Sequence, residues 1–191
     1  MSPARARTSS DAIIAAGRAL LESGGLESVT MQAVADRVGV RAPSLYKRFA
    51  GRHDLIRAIA DDVATELGSA TAPALEIEDP AAAVRLVADN YRAFAHRSPG
   101  AYGLIFSNPA PEAAPTADVN AAAASGLLEL TGRLVGRQRA LGAARLLTAF
   151  AHGFVSMELA GAFRLGGDVD EAYRFGIDSI VAGLGVTRSR S

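Results

Sequence analysis

Apolar positions recur three and four residues apart along nearly the whole chain, the spacing of a helix with one buried face. From Asp11 to Ser23 that face carries Ile13, Ile14, Gly17, Leu20 and Leu21, with Arg18 and Glu22 opposite. Thr8, Ser9 and Ser10 offer N-caps, and Gly24-Gly25 ends the pattern, because Gly accepts the left-handed backbone of a helix end. Thr30 caps a short second helix carrying Val34, Ala35 and Val38, which Gly39 breaks. A third short helix is predicted from Ala42-Pro43 to about Phe49, with Pro in its first turn.

A long helix follows from Arg52 to Ser69, its stripe made of Leu55, Ile56, Ile59, Ala60, Val63 and Leu67. Residues 69–80 hold two prolines and read as a connector. Further helices are predicted over 81–96, 101–107, 117–136, 140–163 and 169–184, with a proline-rich flexible loop at 108–115. There is no β-alternation and no internal repeat. The expected fold is all-α, with about nine helices.

Composition narrows the function classes. Cysteine is absent, which excludes disulfides, thiolate metal sites and a cysteine nucleophile. Trp is absent too, so Ala, Leu, Val and Ile must build most of the core. No uninterrupted apolar run approaches the length of a membrane span, and no apolar segment follows Arg5 and Arg7 as a signal peptide requires. A soluble, cytoplasmic protein without cofactor or metal is expected. Its net charge of zero hides an asymmetry. Residues 1–57 carry nine basic and five acidic side chains, a surplus of four positive charges that the rest of the chain balances. A basic third on an acidic body fits contact with a polyanion, although solvated faces also produce such splits.

The segment from Thr30 to Phe49 concentrates the signal. Two short helices joined at a Gly have the layout of a helix-turn-helix, whose second helix enters the DNA major groove. Val34, Val38, Val40, Leu45 and Phe49 would pin the pair together, leaving Arg41, Ser44, Tyr46, Lys47 and Arg48 outward. An ordinary helical hairpin is the bland alternative. A short helix with Arg, Ser, Tyr, Lys and Arg and no acid suits phosphate oxygens better than plain solvation.

Thr30-x-x-x-Val34-Ala35-x-x-Val38-Gly39-Val40, Pro43-Ser44-Leu45-Tyr46-x-x-Phe49 and Arg52-x-Asp54-Leu55 resemble the DNA-binding domain of the TetR family of repressors. A second stretch, Arg97 to Phe106 together with Ala151-His-Gly to Phe163, resembles a C-terminal domain named for a Trp-His-Gly motif, with Ala151 in place of the Trp. The resemblance implies a helix-turn-helix domain at 1–52 and a ligand-binding and dimerisation domain at 53–191. Thr30 would cap helix two and touch a phosphate, and Gln32 would lie near a base. Arg41, Ala42, Pro43 and Ser44 would start the recognition helix. Tyr46, Lys47 and Arg52 match phosphate-contacting positions. Arg41 stands where the family often has a Ser cap, and it reads a guanine edge or a phosphate; both remain open.

The body should hold a small-molecule site. Tyr91, Phe94, Tyr102, Phe106, His152 and Glu158 are its candidates, each equally readable as core. Small residues at Ala149, Gly153, Ala160 and Gly161, followed by Ile177, Ile180, Val181 and Leu184, suit a homodimer through the last two helices. The expected function is a ligand-responsive repressor that binds a palindromic double-stranded DNA operator and is modulated by a small hydrophobic effector. The competing classes are a small helical enzyme using His152 and Glu158, and a protein-binding helical scaffold. No catalytic motif converges, so the expectation is no enzyme.

Overall fold

A computed structural model describes residues 9–106 and 110–188, with side chains described to residue 185. Every regular element among them is helical: α1 (Ser10–Ser28), α2 (Met31–Val38), a 3-10 turn (Ala42–Ser44), α3 (Arg52–Ser69) and the single-turn α4 (Ala72–Leu75). Then come α5 (Pro80–Arg97), α6 (Pro99–Phe106), a second 3-10 turn (Pro111–Ala113), α7 (Ala117–Val135), α8 (Ala140–Leu159) and α9 (Val169–Arg188). The all-α expectation therefore holds, and α4 is an addition inside the predicted connector.

The chain divides into two bodies. The first takes residues 1–66 and 98–121, the second 67–97 and 122–191. In the first, Ile13, Val34, Leu45, Leu55, Ile59 and Val63 are almost completely buried. Gly17 lets α1 approach α3, since a Cβ there would meet the Ile59 side chain. Arg18 ties the same two helices, donating to Asp62 at 2.9 Å and to Glu66 at 2.6 Å. The N-terminus of α6 is held by α1: both oxygens of Glu22 accept backbone N–H groups, from Gly100 and Ala101, each at 2.8 Å. An isolated helix start leaves such donors unsatisfied, and a carboxylate also suits the positive end of the helix dipole.

In the second body α8 packs against α5 and α9. Tyr173 on α9 is fully buried and donates its hydroxyl to the Ala88 carbonyl on α5 at 2.8 Å. Thr131 is buried on α7 and donates to the Ala140 carbonyl at 3.0 Å, closing the α7–α8 turn. By length and composition α8 could cross a membrane, with a mean hydropathy of 1.2, although no uninterrupted apolar run of that length exists in it: Arg145 and His152 intervene.

The predicted boundaries shift where backbone chemistry intervenes. Ser9 is the cap used by α1, its hydroxyl accepting from Ala12 N at 3.1 Å, while Thr8 lies outside the described residues. Gly25 does break the helix, at φ 69°, but helical turns resume to Ser28. Helix α8 stops at Leu159 rather than running to Phe163. Gly161 adopts φ 63°, and its neighbour Ala162 donates back to the Met157 carbonyl at 2.9 Å, a Schellman-type closure. Of the loop predicted over 108–115, residues 108 and 109 lie outside the described residues, and Pro111–Ala113 forms the second 3-10 turn.

Close packing of α9 on α8 makes a sharp test. A Cβ at Gly176 would come within 2.1 Å of the edge of the Phe150 ring. Gly176→Ala is expected to lower stability by about 1–3 kcal/mol through overpacking, read as a lower urea midpoint with an unchanged m-value.

Candidate nucleic-acid interface

The DNA-reading candidates sit on a short, well-anchored corner. Helix α2 starts at Thr30, whose Oγ1 accepts from Ala33 N at 3.1 Å. It ends at Gly39, with φ 72° and ψ 39°, and Val40 donates to the Ala35 carbonyl at 3.0 Å. That left-handed residue turns the chain sharply at little steric cost. The predicted third helix is a 3-10 turn over Ala42–Ser44 that continues as hydrogen-bonded turns to Arg48. Its bonds step three residues back, from Ser44 to Arg41 and from Leu45 to Ala42, both at 2.9 Å. Arg41 occupies the cap position without a side-chain cap bond.

Burial separates anchors from readers. Leu45 is wholly buried and Phe49 nearly so, with Met31, Val34 and Ala35 of α2 also in the core. Thr30, Gln32, Arg41, Pro43, Tyr46 and Lys47 are exposed, as are Arg37 and Arg48, while Ala42, Ser44 and Arg52 are half-buried. Tyr46 is 55% exposed, a large aromatic surface for a residue inside a folded corner. Gln32 donates to Asp36 at 2.7 Å, one turn along its own helix. The expected readers thus share one corner.

Arg52 is the exception. Its Nε donates to the Val29 carbonyl and its Nη2 to the Leu26 carbonyl, both at 2.8 Å, and Glu27 lies 3.9 Å away. The side chain closes the C-terminal end of α1 from the first residue of α3. In the free protein it is a positioning residue beside the corner.

Comparison with known proteins matches two separate stretches of the chain. A family model described as bacterial regulatory proteins, tetR family, matches residues 13–59. A second, described as tetracyclin repressor-like, C-terminal domain, matches residues 84–180. The chain belongs to the TetR family. An uncharacterised HTH-type transcriptional regulator of Mycobacterium tuberculosis, Rv0681, is 31% identical over 162 residues, 82% of this chain and 72% of that protein. A protein of unknown function from Rhodococcus sp. RHA1 superposes with TM-score 0.75 at 26% identity, over 92% of this chain and 95% of the other. A TetR variant from Acinetobacter baumannii AYE in complex with minocycline gives 0.70 at 25% identity, over 93% and 97%. This TetR-family protein is therefore a transcriptional regulator with an N-terminal DNA-binding domain, and not an enzyme.

The ligand candidates part company in this TetR-family chain. Tyr102 and Phe106 belong to the first body, where Tyr102 is buried and the two rings lie 5.1 Å apart. Phe94 is core in the second body, 1% exposed. Tyr91 lines an apolar cleft there with Val84, Val87 and Ala88 of α5; the opposite wall is Leu127 of α7 with Leu147, Thr148 and Ala151 of α8. His152 is half-buried and does not line it. Sequence reasoning missed the aliphatic walls because it sought aromatic and polar residues; the signal was there as faces at helical spacing, 84-87-88-91 and 147-148-151.

Glu158 has a different setting. Arg92 grips it with two bonds, Nε to Oε2 at 2.9 Å and Nη2 to Oε1 at 2.5 Å, and also donates to Asp170 at 2.6 Å. His96 Nε2 lies 3.0 Å from the same carboxylate. The Arg92 guanidinium sits 5.1 Å over the Tyr173 ring, a cation–π contact. Hydrogen bonding from Arg92, aided by His96 and opposed by burial, holds the Glu158 carboxyl below its ordinary value of 4.5. Glu158 thus ties α8 to α5, and Asp170 brings in α9.

Because the folded-state value is depressed, the stabilisation from Glu158 is present above pH 4.5 and lost as pH falls through the lower folded value. Urea midpoints between about pH 6 and pH 3 should fall more steeply for the native protein than for Glu158→Gln. Parallel curves would remove Glu158 from the acid response.

Proposed function

We propose that this protein is a homodimeric, ligand-responsive repressor acting on a palindromic operator in the cytoplasm. The observation that carries the reading is the exposed set Arg41, Pro43, Tyr46, Lys47 and Arg48 on a turn anchored by buried Leu45 and Phe49. Cations and a phenol displayed on a corner whose core is apolar suit a groove lined by phosphates. Thr30 and Gln32 meet the same duplex from the start of α2, and Ala42 and Ser44 allow close approach to base edges. Arg52 supports the corner and adds its charge at the start of α3.

Dimerisation is supported by an apolar stripe without a covering element. On α8, Leu146, Ala149, Gly153 and Met157 are all exposed, and Phe175 on α9 is 73% exposed. Burying such a stripe against its symmetric copy forms a four-helix interface, and two reading corners then address two half-sites. The effector reading draws support from the apolar cleft beside Tyr91 and from the minocycline bound by the Acinetobacter neighbour. Helix α3 runs unbroken from the reading corner at Arg52 to Ser69 and is the element proposed to carry the change. An effector acts only if its affinity differs between DNA-competent and incompetent states.

Operator selection from random duplexes, followed by titration at several salt concentrations, tests the DNA assignment. Lys47→Ala should weaken binding on all sequences and flatten the salt slope by about one unit, with no change in melting temperature. Arg52→Ala should lower both affinity and melting temperature, since it removes the closure of α1. A Lys47 variant with altered sequence preference and an unchanged slope would sink the phosphate assignment.

The interface has its own probe. A Cβ at Gly153 meets nothing within 4 Å, and replacing a helical Gly raises intrinsic helix propensity. Gly153→Arg should therefore stay folded while becoming monomeric by light scattering and binding the operator poorly. A variant that stays dimeric takes this face out of the interface.

A further inference from the structure

The exposed stripe on α8 reads almost the same in both directions. From one end it runs Gly142, Leu146, Ala149, and from the other Ala160, Met157, Gly153, all of them exposed. Laid antiparallel on a second copy and centred on position 151, it sets Ala149 against Gly153, Leu146 against Met157 and Gly142 against Ala160. Small then meets small and large meets large. A parallel pairing would match any sequence with itself, so a palindrome matters only to an antiparallel one. The same two-fold relation brings residues 160–165 of one chain beside residues 137–142 of the other. The first stretch belongs to a loop that displays one side chain: Leu165 is fully exposed, at 105%. Around it the loop is tied down. Arg164 Nε donates to the Gly161 carbonyl at 3.1 Å, the Phe163 ring lies 4.6 Å from that of Phe154, and Asp168 Oδ1 accepts from Asp170 N at 2.8 Å. Beside the second stretch lies an open groove of about 580 Å³, walled by Leu128, Gly132, Ala140 and Leu141 with Glu129 and Arg137. Within one chain loop and groove cannot meet, because the 20 residues of α8 hold them about 30 Å apart.

We propose that the α8–α9 loop of each copy docks in the α7–α8 groove of the other, with Leu165 as its anchor. The proposal rests on the homodimer reading above and adds a contact at each end of the paired helices. Leu165 leaves water against Leu128 and Leu141 of the second copy, a burial its own chain does not give it. Arg164 brings a cation toward Glu129, and Asp168 an anion toward Arg137, so the signs of charge match across the contact. Two-fold symmetry makes the contact twice, once at each end. A pair of such clasps fixes the register of one α8 on the other, which contact among Ala and Gly alone would leave free to slide.

Because the chain has no Cys, engineered thiols report the contact without background. In the full-length double variant Leu165→Cys with Gly132→Cys, mild oxidation should join two chains into a covalent dimer, while either single variant stays uncrosslinked. A Cβ at position 132 meets only Ala140, at 3.8 Å, so that substitution is tolerated. Leu141→Cys, at a half-exposed position on the same wall, replaces it if the first double variant does not fold. Leu165→Ser should leave the fold of the single chain intact, since the side chain is fully exposed there, yet raise the dimer dissociation constant by about tenfold or more in sedimentation. Arg164→Glu should weaken the dimer as well, and Glu129→Arg in the same chain should restore it. A covalent dimer from Leu165→Cys alone places the two loops together and overturns the proposal. So does a folded double variant that stays uncrosslinked, or a dissociation constant that Leu165→Ser leaves unchanged. In those cases a native protein that is dimeric by light scattering keeps the homodimer reading, whereas a monomeric native protein overturns that reading and the proposal with it.

Discussion

The reading corner depends on the bonds that Arg52 makes to the end of α1. Carbonyls at a helix C-terminus have no partner within the helix, and Leu26 and Val29 lie just where α1 gives way to the cap of α2. By donating to both, Arg52 fixes the first residue of α3 against the last turn of α1, with α2 and the reading turn held in the chain between them. The geometry of the corner is thus set from both ends by one planar group. A Lys could supply the charge but not two directed bonds at this spacing.

Charged side chains do similar work at other helix ends. Glu22 holds the start of α6, and Arg133 on α7 donates to the Leu75 carbonyl at 3.0 Å, with Ile77 and Glu78 beside it, beyond the end of α4. A core built largely from Ala, Val, Leu and Ile gives each helix pair little shape to lock onto. Directed bonds at the ends restrict sliding that apolar contact alone would allow. This also changes the meaning of the charge asymmetry. Arg18, Arg52 and Arg57 bond to groups of the protein itself, so among the described residues of this third the outward positive surface gathers on Arg37, Arg41, Lys47 and Arg48.

Much of this was legible in the sequence. The Gly39 break, the Thr30 cap and the anchors Leu45 and Phe49 are local signals, fixed by backbone conformation and by spacing, and they reappear in place. The closure that Arg52 makes was not legible, because its partners are carbonyls more than twenty residues away, and carbonyls have no sequence signature. The grouping of ligand candidates was not legible for a related reason. Aromatic side chains at helical spacing mark buried faces without saying which helices meet, so Tyr102 and Phe106 were pooled with Tyr91. The pairing of Glu158 with Arg92 is likewise a tertiary fact. Position 151 is a different case: it was visible as a departure from a motif, and only the structure shows which side chains stand around it.

The reading turn opens on bonds that step three residues back, closes on one from Phe49 to the Leu45 carbonyl, and lacks a side-chain cap at Arg41, unlike α2 beside it. Bonds of this kind have poorer geometry than α-helical ones and rarely extend beyond a few residues. Opening this turn therefore costs less than opening α1, α2 or α3, because Leu45 and Phe49 anchor it without a regular helix around it. A head that breathes while its frame stands still can settle onto backbones of slightly different groove width. A duplex that asked the turn to shift would then disturb the head alone and leave its helical frame in place.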